Sequence, residues 1–177
     1  QINKMLGIRI SSHKVMTLFY RNTKLFSTPI DYKEKVCYYL SNHILLSGVR
    51  QFMKIIVVGC GKIGSTVVER LAAEGHDVTA IDNSASVLEE ITNVYDVMGV
   101  CGNGADCDVL EEADAASADL IVAVTDSDET NMLCCFLAGK MGTDHTIARI
   151  RNPEYNDSSL IFMKKHLGLS MAINPEL

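Results

Sequence analysis

Residues 59–64 form a glycine-rich stretch whose spacing suits the binding of phosphate groups by the main chain. The letters GCGKIG follow the pattern G-x-G-x-x-G and stand between the apolar run KIIVV (54–58) and a stretch with helical periodicity. Gly59 permits a tight turn, Gly61 lets a pyrophosphate approach the backbone, and Gly64 lets the helix lie close to the sheet. N–H groups at the start of the helix then face the phosphates, aided by the helix dipole. The stretch therefore predicts a pyrophosphate-binding turn.

An acidic residue after the next apolar stretch supplies the second part of a dinucleotide site. Asp82 ends the predicted strand DVTAID (77–82), 18 residues past Gly64, where a carboxylate accepts hydrogen bonds from ribose hydroxyls. A carboxylate there would also repel a 2′-phosphate, so this position favours NAD over NADP. The alternative is a tight βα turn that binds no ligand, with Asp82 at the surface.

Polar residues also stand at the ends of later predicted strands, where doubly wound sheets bind their ligands. Thr125 and Asp126 follow the fourth strand, although Asp126 also suits a helix N-terminus for purely structural reasons. Arg149 lies in the apolar fifth strand, where a charge needs a partner, and either a phosphate or a carboxylate would serve. Gly102 and Gly104, after the third strand, either let the backbone approach an adenine edge or form a plain glycine turn.

Strands and helices that alternate along residues 53–177 are needed to position these groups. Short apolar runs, separated by helical periodicities and short loops, indicate parallel strands with right-handed crossovers. We predict an α/β fold, a Rossmann-like doubly wound parallel sheet of about six strands. The predicted strands are 54–58, 77–82, 96–100, 119–124, 145–150 and a short one within 170–174.

The helix after the fourth strand is the longest that the pattern predicts. Asp126 followed by Glu129 three residues later resembles a capping box, so Asp126 is the predicted N-cap. Gly142 is the predicted end. The apolar residues expected to be buried are Met132, Leu133, Phe136 and Leu137.

The charge balance changes sharply at Met53 and indicates two pieces. Residues 1–52 hold eight Lys/Arg and two Asp/Glu, a balance of +6, and residues 53–177 hold eight and twenty, a balance of −12; together they give the −6 of the whole chain. We predict a poorly structured N-terminal extension of unknown role over 1–52 and one domain over 53–177. The extension is a transit-peptide-like segment, a translated upstream segment or a segment foreign to the native protein.

Several classes of protein are disfavoured by composition. No apolar run reaches 18 residues, as a membrane span needs, and no Lys/Arg block suits nucleic acid. Neither C-x-x-C nor H-E-x-x-H occurs, so no metal site is predicted. We expect reduced, mostly buried thiols at the six cysteines, which are Cys37, Cys60, Cys101, Cys107, Cys134 and Cys135.

The motifs taken together resemble a known family. The stretches MKIIVVGCGKIGSTVVERLAAEGHDVTAID, CGNGAD, ADLIVAVTDSDETNMLCCFLA, IARIRNPEY and LGLSMAINPEL are similar to the nucleotide-binding KTN, or RCK N-terminal, domain of Trk-type potassium uptake regulatory proteins. The resemblance covers about residues 53–177 and nothing before Met53. The family usually continues into a smaller C-terminal regulatory domain, so a chain ending at Leu177 is either a truncation or a stand-alone N-domain.

The resemblance implies a function, a ligand and a set of site residues. It implies a cytoplasmic subunit peripheral to the inner face of the membrane, which gates a potassium-translocating membrane partner and assembles as a homodimer or larger ring. The implied cofactor is NAD(H), with ATP or ADP as further candidates. By motif match Asp82 meets the ribose, Thr125 and Asp126 line the site and Arg149 meets phosphate. The pyrophosphate is assigned to Gly59, Cys60, Gly61, Lys62 and Ile63.

Two other functions compete with this one. An NAD-dependent oxidoreductase needs a proton-transfer group beside the nicotinamide and a substrate pocket. The Tyr-x-x-x-Lys at Tyr20 to Lys24 precedes the glycine turn, on the wrong side for a short-chain dehydrogenase, and nothing after residue 150 is long enough for a catalytic domain. The prediction is therefore a sensor and not an enzyme. The second rival, a regulatory domain of a potassium efflux antiporter, shares the fold.

Overall fold

The structure is a computed structural model and describes residues 52–155 and 157–173. The predicted N-terminal extension, apart from Phe52, and Cys37 within it lie outside the described residues. The described ranges include the glycine turn and the predicted site residues Asp82, Thr125, Asp126 and Arg149.

A single parallel sheet organises the described part of the chain. Its six strands have the order β3-β2-β1-β4-β5-β6, and every adjacent pair is parallel. The α/β doubly wound prediction is therefore confirmed. The strands are β1 (Lys54–Val58), β2 (Asp77–Asp82), β3 (Met98–Cys101), β4 (Leu120–Ala123), β5 (His145–Arg149) and β6 (Met171–Ile173).

Helices cover both faces of this sheet, because its central strands are apolar on both sides. Successive residues of β1 point to opposite faces, so Ile55 and Val57 belong to one core cluster and Ile56 and Val58 to the other. The helices are α1 (Lys62–Ala73), α2 (Ala85–Val94), α3 (Cys107–Glu112), α4 (Asp128–Met141) and α5 (Asp157–Leu167). The first two pack on one face, while α3 and α4 pack on the other.

Helix α4 begins one residue later than the sequence pattern indicates. Its N-cap is Ser127, whose backbone is extended and whose Oγ accepts a hydrogen bond from the Thr130 N–H at 3.1 Å. The prediction of Asp126 as the cap is therefore wrong. Both residue types cap helices well, but it is the Ser127 hydroxyl that bonds to the Thr130 N–H.

The buried face of α4 also differs from the predicted one. Leu133 is 47% exposed, and Phe136 and Leu137 are only partly buried. Met132 is buried as predicted, and the small residues Cys134, Cys135 and Ala138 lie in the same core cluster. The buried residues of α4 are Asp128, Asn131, Met132, Cys134, Cys135 and Ala138.

The order of the strands creates a crevice at one edge of the sheet. The chain runs outward from β1 through β2 to β3 and then returns to place β4 on the other side of β1. The loops after β1 and β4 therefore leave in opposite directions and open a gap at the carboxyl ends of these strands, where ligands bind in doubly wound sheets. The glycine turn, Asp82, Thr125 and Arg149 all lie at this edge.

Candidate functional site

A cavity of about 730 Å³ lies at the carboxyl edge of the sheet. Eight of the nine predicted site residues line it: Gly59, Gly61, Lys62, Ile63, Asp82, Thr125, Asp126 and Arg149. The exception is Cys60, whose side chain is buried in the core beneath α1. Its thiol therefore faces away from the cavity.

The three glycines of the turn differ in what the fold demands of them. Gly59 has a φ of +88°, which favours glycine, and a Cβ on Gly64 would lie 1.8 Å from the Gly59 carbonyl oxygen. Gly61 has an ordinary φ of −62°, and a Cβ there would meet no described atom within 4 Å. The fold thus requires glycine at 59 and 64, while Gly61 leaves an open approach to the backbone.

The main-chain donors of the turn divide into used and available groups. The Gly59 N–H donates to the Ile81 carbonyl at 2.8 Å, and the Cys60 N–H donates to Asp82 Oδ2 at 2.7 Å. Helix α1 begins at Lys62 without a side-chain cap. Within the described residues, no acceptor satisfies the N–H groups of Gly61, Lys62 and Ile63. The cavity wall therefore offers three aligned amide donors, a ready site for an anion.

Asp82 braces the turn as well as facing the cavity. Besides accepting from Cys60, its carboxylate accepts a hydrogen bond at Oδ1 from the Ser84 N–H at 2.9 Å. A carboxylate oxygen has two acceptor positions, so each oxygen retains one for a ligand. The position of Asp82 in the sequence predicts a ribose contact but not the brace, because the bond to Cys60 joins residues 22 positions apart.

The opposite wall of the cavity is formed by the ends of β4 and β5. Arg149 Nη1 donates to the Thr125 carbonyl at 3.3 Å, which holds the guanidinium against the β4 end. Asn131, which sequence analysis did not single out, is completely buried behind this wall. Its signal in the sequence was weak: an asparagine in a helix interior, where that residue is disfavoured.

Gly102 and Gly104 have a steric reason to be glycine. A Cβ on Gly102 would lie 2.5 Å from a Val109 methyl, and a Cβ on Gly104 would lie 2.2 Å from a Val58 methyl. Both residues also line the cavity. Close packing of this loop on β1 and α3 accounts for these glycines whether or not a ligand lies beside them.

The cavity offers binding groups more readily than reacting ones. Burial, and then the nearby Asp82 carboxylate, raise the pKa of Cys60 to about 12, so its thiol stays neutral and is a poor nucleophile. The described lining contains no His, Tyr or Cys side chain. No cluster of three or more His, Cys, Asp or Glu side chains in the described part could hold a metal ion.

The helices of the described residues include none that combines the length and the apolar character needed to cross a membrane.

The family comparison matches most of the chain. The model of the TrkA-N domain matches residues 55–175. The chain is 42% identical over 126 residues to the Trk system potassium uptake protein TrkA of Vibrio alginolyticus, covering 70% of this chain and 28% of that protein. It is 36% identical over 124 residues to a TrkA homolog of Methanothermobacter thermautotrophicus, covering 70% of this chain and 55% of that protein. The chain thus spans about a quarter to a half of these relatives.

Solved structures share the fold at lower identity. The TrkA-N domain of the inner membrane protein ybaL from Escherichia coli has a TM-score of 0.61 at 21% identity, covering 72% of this chain and 91% of that one. The GsuK channel bound to NAD has a TM-score of 0.58 at 19% identity, covering 70% and 21%. The Shewanella denitrificans Kef CTD in AMP-bound form has a TM-score of 0.54 at 24% identity, covering 68% and 70%.

Proposed function

This chain belongs to the TrkA-N family, and from that premise we propose that it senses a nucleotide for a Trk- or Ktr-type potassium transport system. Residues 53–177 are the proposed sensing domain, and no role is proposed for residues 1–52. The observation that carries the proposal is the arrangement of the cavity. Three amide donors at the start of α1 line the same cavity as the Asp82 carboxylate, and the backbone at Gly61 is open to a ligand.

The proposed ligand is NAD(H), with an adenine mononucleotide such as ATP or ADP as the competing occupant. Its pyrophosphate would accept hydrogen bonds from the Gly61, Lys62 and Ile63 N–H groups, next to the Lys62 ammonium. The ribose hydroxyls would donate to Asp82, whose charge disfavours a 2′-phosphate. The second nucleotide would then extend toward Thr125 and Asp126, with the Arg149 guanidinium beside its phosphate. Fold neighbours named as bound to NAD and to AMP support this ligand class.

The proposed partner is a potassium-translocating membrane protein. The named relatives belong to Trk potassium uptake systems, which supports this class of partner. The proposal includes a cytoplasmic location at the inner face of the membrane and a homodimer or larger ring as the working assembly. Ligand binding would act by favouring one of two domain conformations, and the change in their populations would reach the transporter through the subunit interface. The proposed partners include no nucleic acid.

The oxidoreductase alternative finds little support in the cavity. Hydride transfer needs a polar group that moves a proton beside the nicotinamide. The ionisable side chains of the described lining are Lys62, Arg149, Asp82 and Asp126, and no His, Tyr or Cys side chain stands among them. The antiporter alternative predicts the same fold as the proposal, and this chain shares that fold with the Kef CTD. It differs from the proposal only in the identity of the membrane partner.

Titration calorimetry of the whole chain with NADH, NADPH and AMP tests the site. We expect NADH to bind more tightly than NADPH, and Asp82→Ala to raise the Kd for NADH by about 10- to 100-fold, because a charge-assisted pair of hydrogen bonds is lost. Asp77→Ala is the matched control, since Asp77 is an exposed carboxylate at the opposite end of the same strand. An unchanged Kd for the Asp82 variant would contradict the assigned site, and steady NADH oxidation with a small carbonyl would favour the enzyme.

A further inference from the structure

Asn131 is a fully buried polar side chain that no predicted role explains. It lies near the start of α4 at 0% exposure, among residues that pack against the sheet. Asparagine is a weak helix former, and an amide buried without partners is costly. Its presence there therefore needs a compensating set of hydrogen bonds.

Those hydrogen bonds use the whole capacity of the amide. Oδ1 accepts from the Thr125 N–H at 2.9 Å and from Thr125 Oγ1 at 2.7 Å. Nδ2 donates to the Thr125 carbonyl at 3.3 Å and to the Arg149 carbonyl at 2.9 Å. A flipped amide would set a donor against the Thr125 N–H and an acceptor against two carbonyls, so the network determines the orientation.

The network joins the two strand ends that form one wall of the cavity. Thr125 follows β4, and Arg149 ends β5. The Thr125 carbonyl accepts from Asn131 Nδ2 and also from Arg149 Nη1, so the amide and the guanidinium are held by the same oxygen. Thr125 and Arg149 line the cavity, whereas Asn131 does not. Any influence of Asn131 on a ligand must therefore pass through these two residues.

We propose that Asn131 is a positioning residue that sets the affinity of the β4–β5 half of the cavity for the second nucleotide of a dinucleotide. It does so by holding the Thr125 main chain and the Arg149 guanidinium in register across the two strand ends. The inference rests on the proposed function, since it concerns the same ligand. The Gly61 and Asp82 half of the cavity makes no hydrogen bond with Asn131 in the described part of the chain.

Comparing two ligands that occupy different parts of the cavity distinguishes this positioning role from a general loss of structure. NADH would extend across both halves of the cavity, whereas AMP would occupy only the half at Gly61 and Asp82. For the whole chain carrying Asn131→Ala, we expect the Kd for NADH to rise about tenfold or more and the Kd for AMP to change by less than about threefold. Calorimetry gives both constants, and equal changes for the two ligands, or none for NADH, would overturn the proposal.

A control and a rescue make the test independent of overall stability. Thr143→Val removes another buried hydrogen bond at the far end of α4, from the Thr143 hydroxyl to the Ala115 carbonyl at 2.7 Å, and should leave both Kd values unchanged. Asn131→Asp keeps the size and the acceptor of the native amide, which serves if the alanine variant does not fold. Its NADH affinity relative to wild type should recover as the pH falls, because a protonated carboxyl again donates a hydrogen bond.

The results distinguish the inference from the function on which it rests. A wild-type chain that binds neither NADH nor AMP overturns both. A wild-type chain that binds both, with an Asn131→Asp variant whose relative NADH affinity does not change with pH, overturns the positioning role alone.

Discussion

At the scale of the residue, Gly61 and Gly64 stand three positions apart in one turn and serve different purposes. Gly64 is required by the fold, because a Cβ there would overlap the Gly59 carbonyl oxygen. Gly61 is not, because its backbone angles are ordinary and a Cβ there meets no described atom. Because the packing of the protein does not require glycine at position 61, we infer that Gly61 leaves room for a ligand.

Alanine at each of these two positions should separate stability from binding. We expect Gly64→Ala to lower the free energy of unfolding by about 3 kcal/mol or more, since a backbone oxygen must move. Gly61→Ala should change it by less than about 1 kcal/mol. Urea denaturation followed by circular dichroism measures both, and an equal loss for the two variants would contradict this interpretation.

The larger Gly61→Val substitution should remove dinucleotide binding from a folded protein. The added side chain would stand where the pyrophosphate approaches the backbone, so NADH and NADPH should both fail to bind in calorimetry. A folded Gly61→Val chain that still binds NADH would show that the turn is not the phosphate site.

At the scale of the element, α4 is held to the loop after β5 by its first residue. Asp128 is 6% exposed, and its Oδ2 accepts from the Arg151 and Asn152 N–H groups, each at 2.7 Å. Asp126, two residues earlier, is exposed. Two similar carboxylates in one loop therefore differ in role: Asp128 fixes the helix in place, and Asp126 faces the cavity.

Removing each carboxylate should reveal that difference. We expect Asp128→Ala to lower the free energy of unfolding by about 3 kcal/mol, because two main-chain donors lose a charged acceptor. Asp126→Ala should change stability by less than about 0.5 kcal/mol. Denaturant unfolding of both variants compares them directly, and an Asp128→Ala protein as stable as wild type would refute the assignment.

At the scale of the whole molecule, three buried thiols link stability to alkaline pH. Burial raises the pKa of Cys134 to about 12. Burial, and then the Asp82 charge, raise the pKa of Cys60 to about 12. Burial, and then the neighbouring Cys134, raise the pKa of Cys135 well above its usual value. In the unfolded chain these thiols ionise near about pH 8.5. The folded state therefore holds protons that the unfolded state loses as the pH rises.

The stabilising contribution of these protonated thiols should be fully present below about pH 8.5 and should be lost as the pH rises toward about 12. Each thiol contributes up to about 1.4 kcal/mol of lost unfolding free energy per pH unit in that window. Cys134→Ala should reduce the slope by one such contribution, which urea denaturation between about pH 8 and 10.5 measures. Identical slopes for wild type and variant would exclude a role for this thiol.

The sequence alone determined the features that depend on neighbouring residues. Alternating apolar runs and helical periodicities predicted the doubly wound sheet, and the G-x-G-x-x-G spacing with Asp82 predicted where a cavity would form, because strand ends of a parallel sheet meet at one edge. The spacing of the glycines located the turn after β1, and the apolar run that contains Arg149 located its strand. The sequence pattern was sufficient for these features because each is formed by residues close together in the chain.

Tertiary structure alone decided which groups remain available and which hold others in place. The bond from the Cys60 N–H to Asp82 leaves three of the turn's amides for an anion. Asn131 emerged only when the folded chain brought Thr125 and Arg149 to its two sides. The bonds from Cys60 to Asp82 and from Asn131 to Arg149 join residues 22 and 18 positions apart, so the spacing of residue types along the chain does not reveal them.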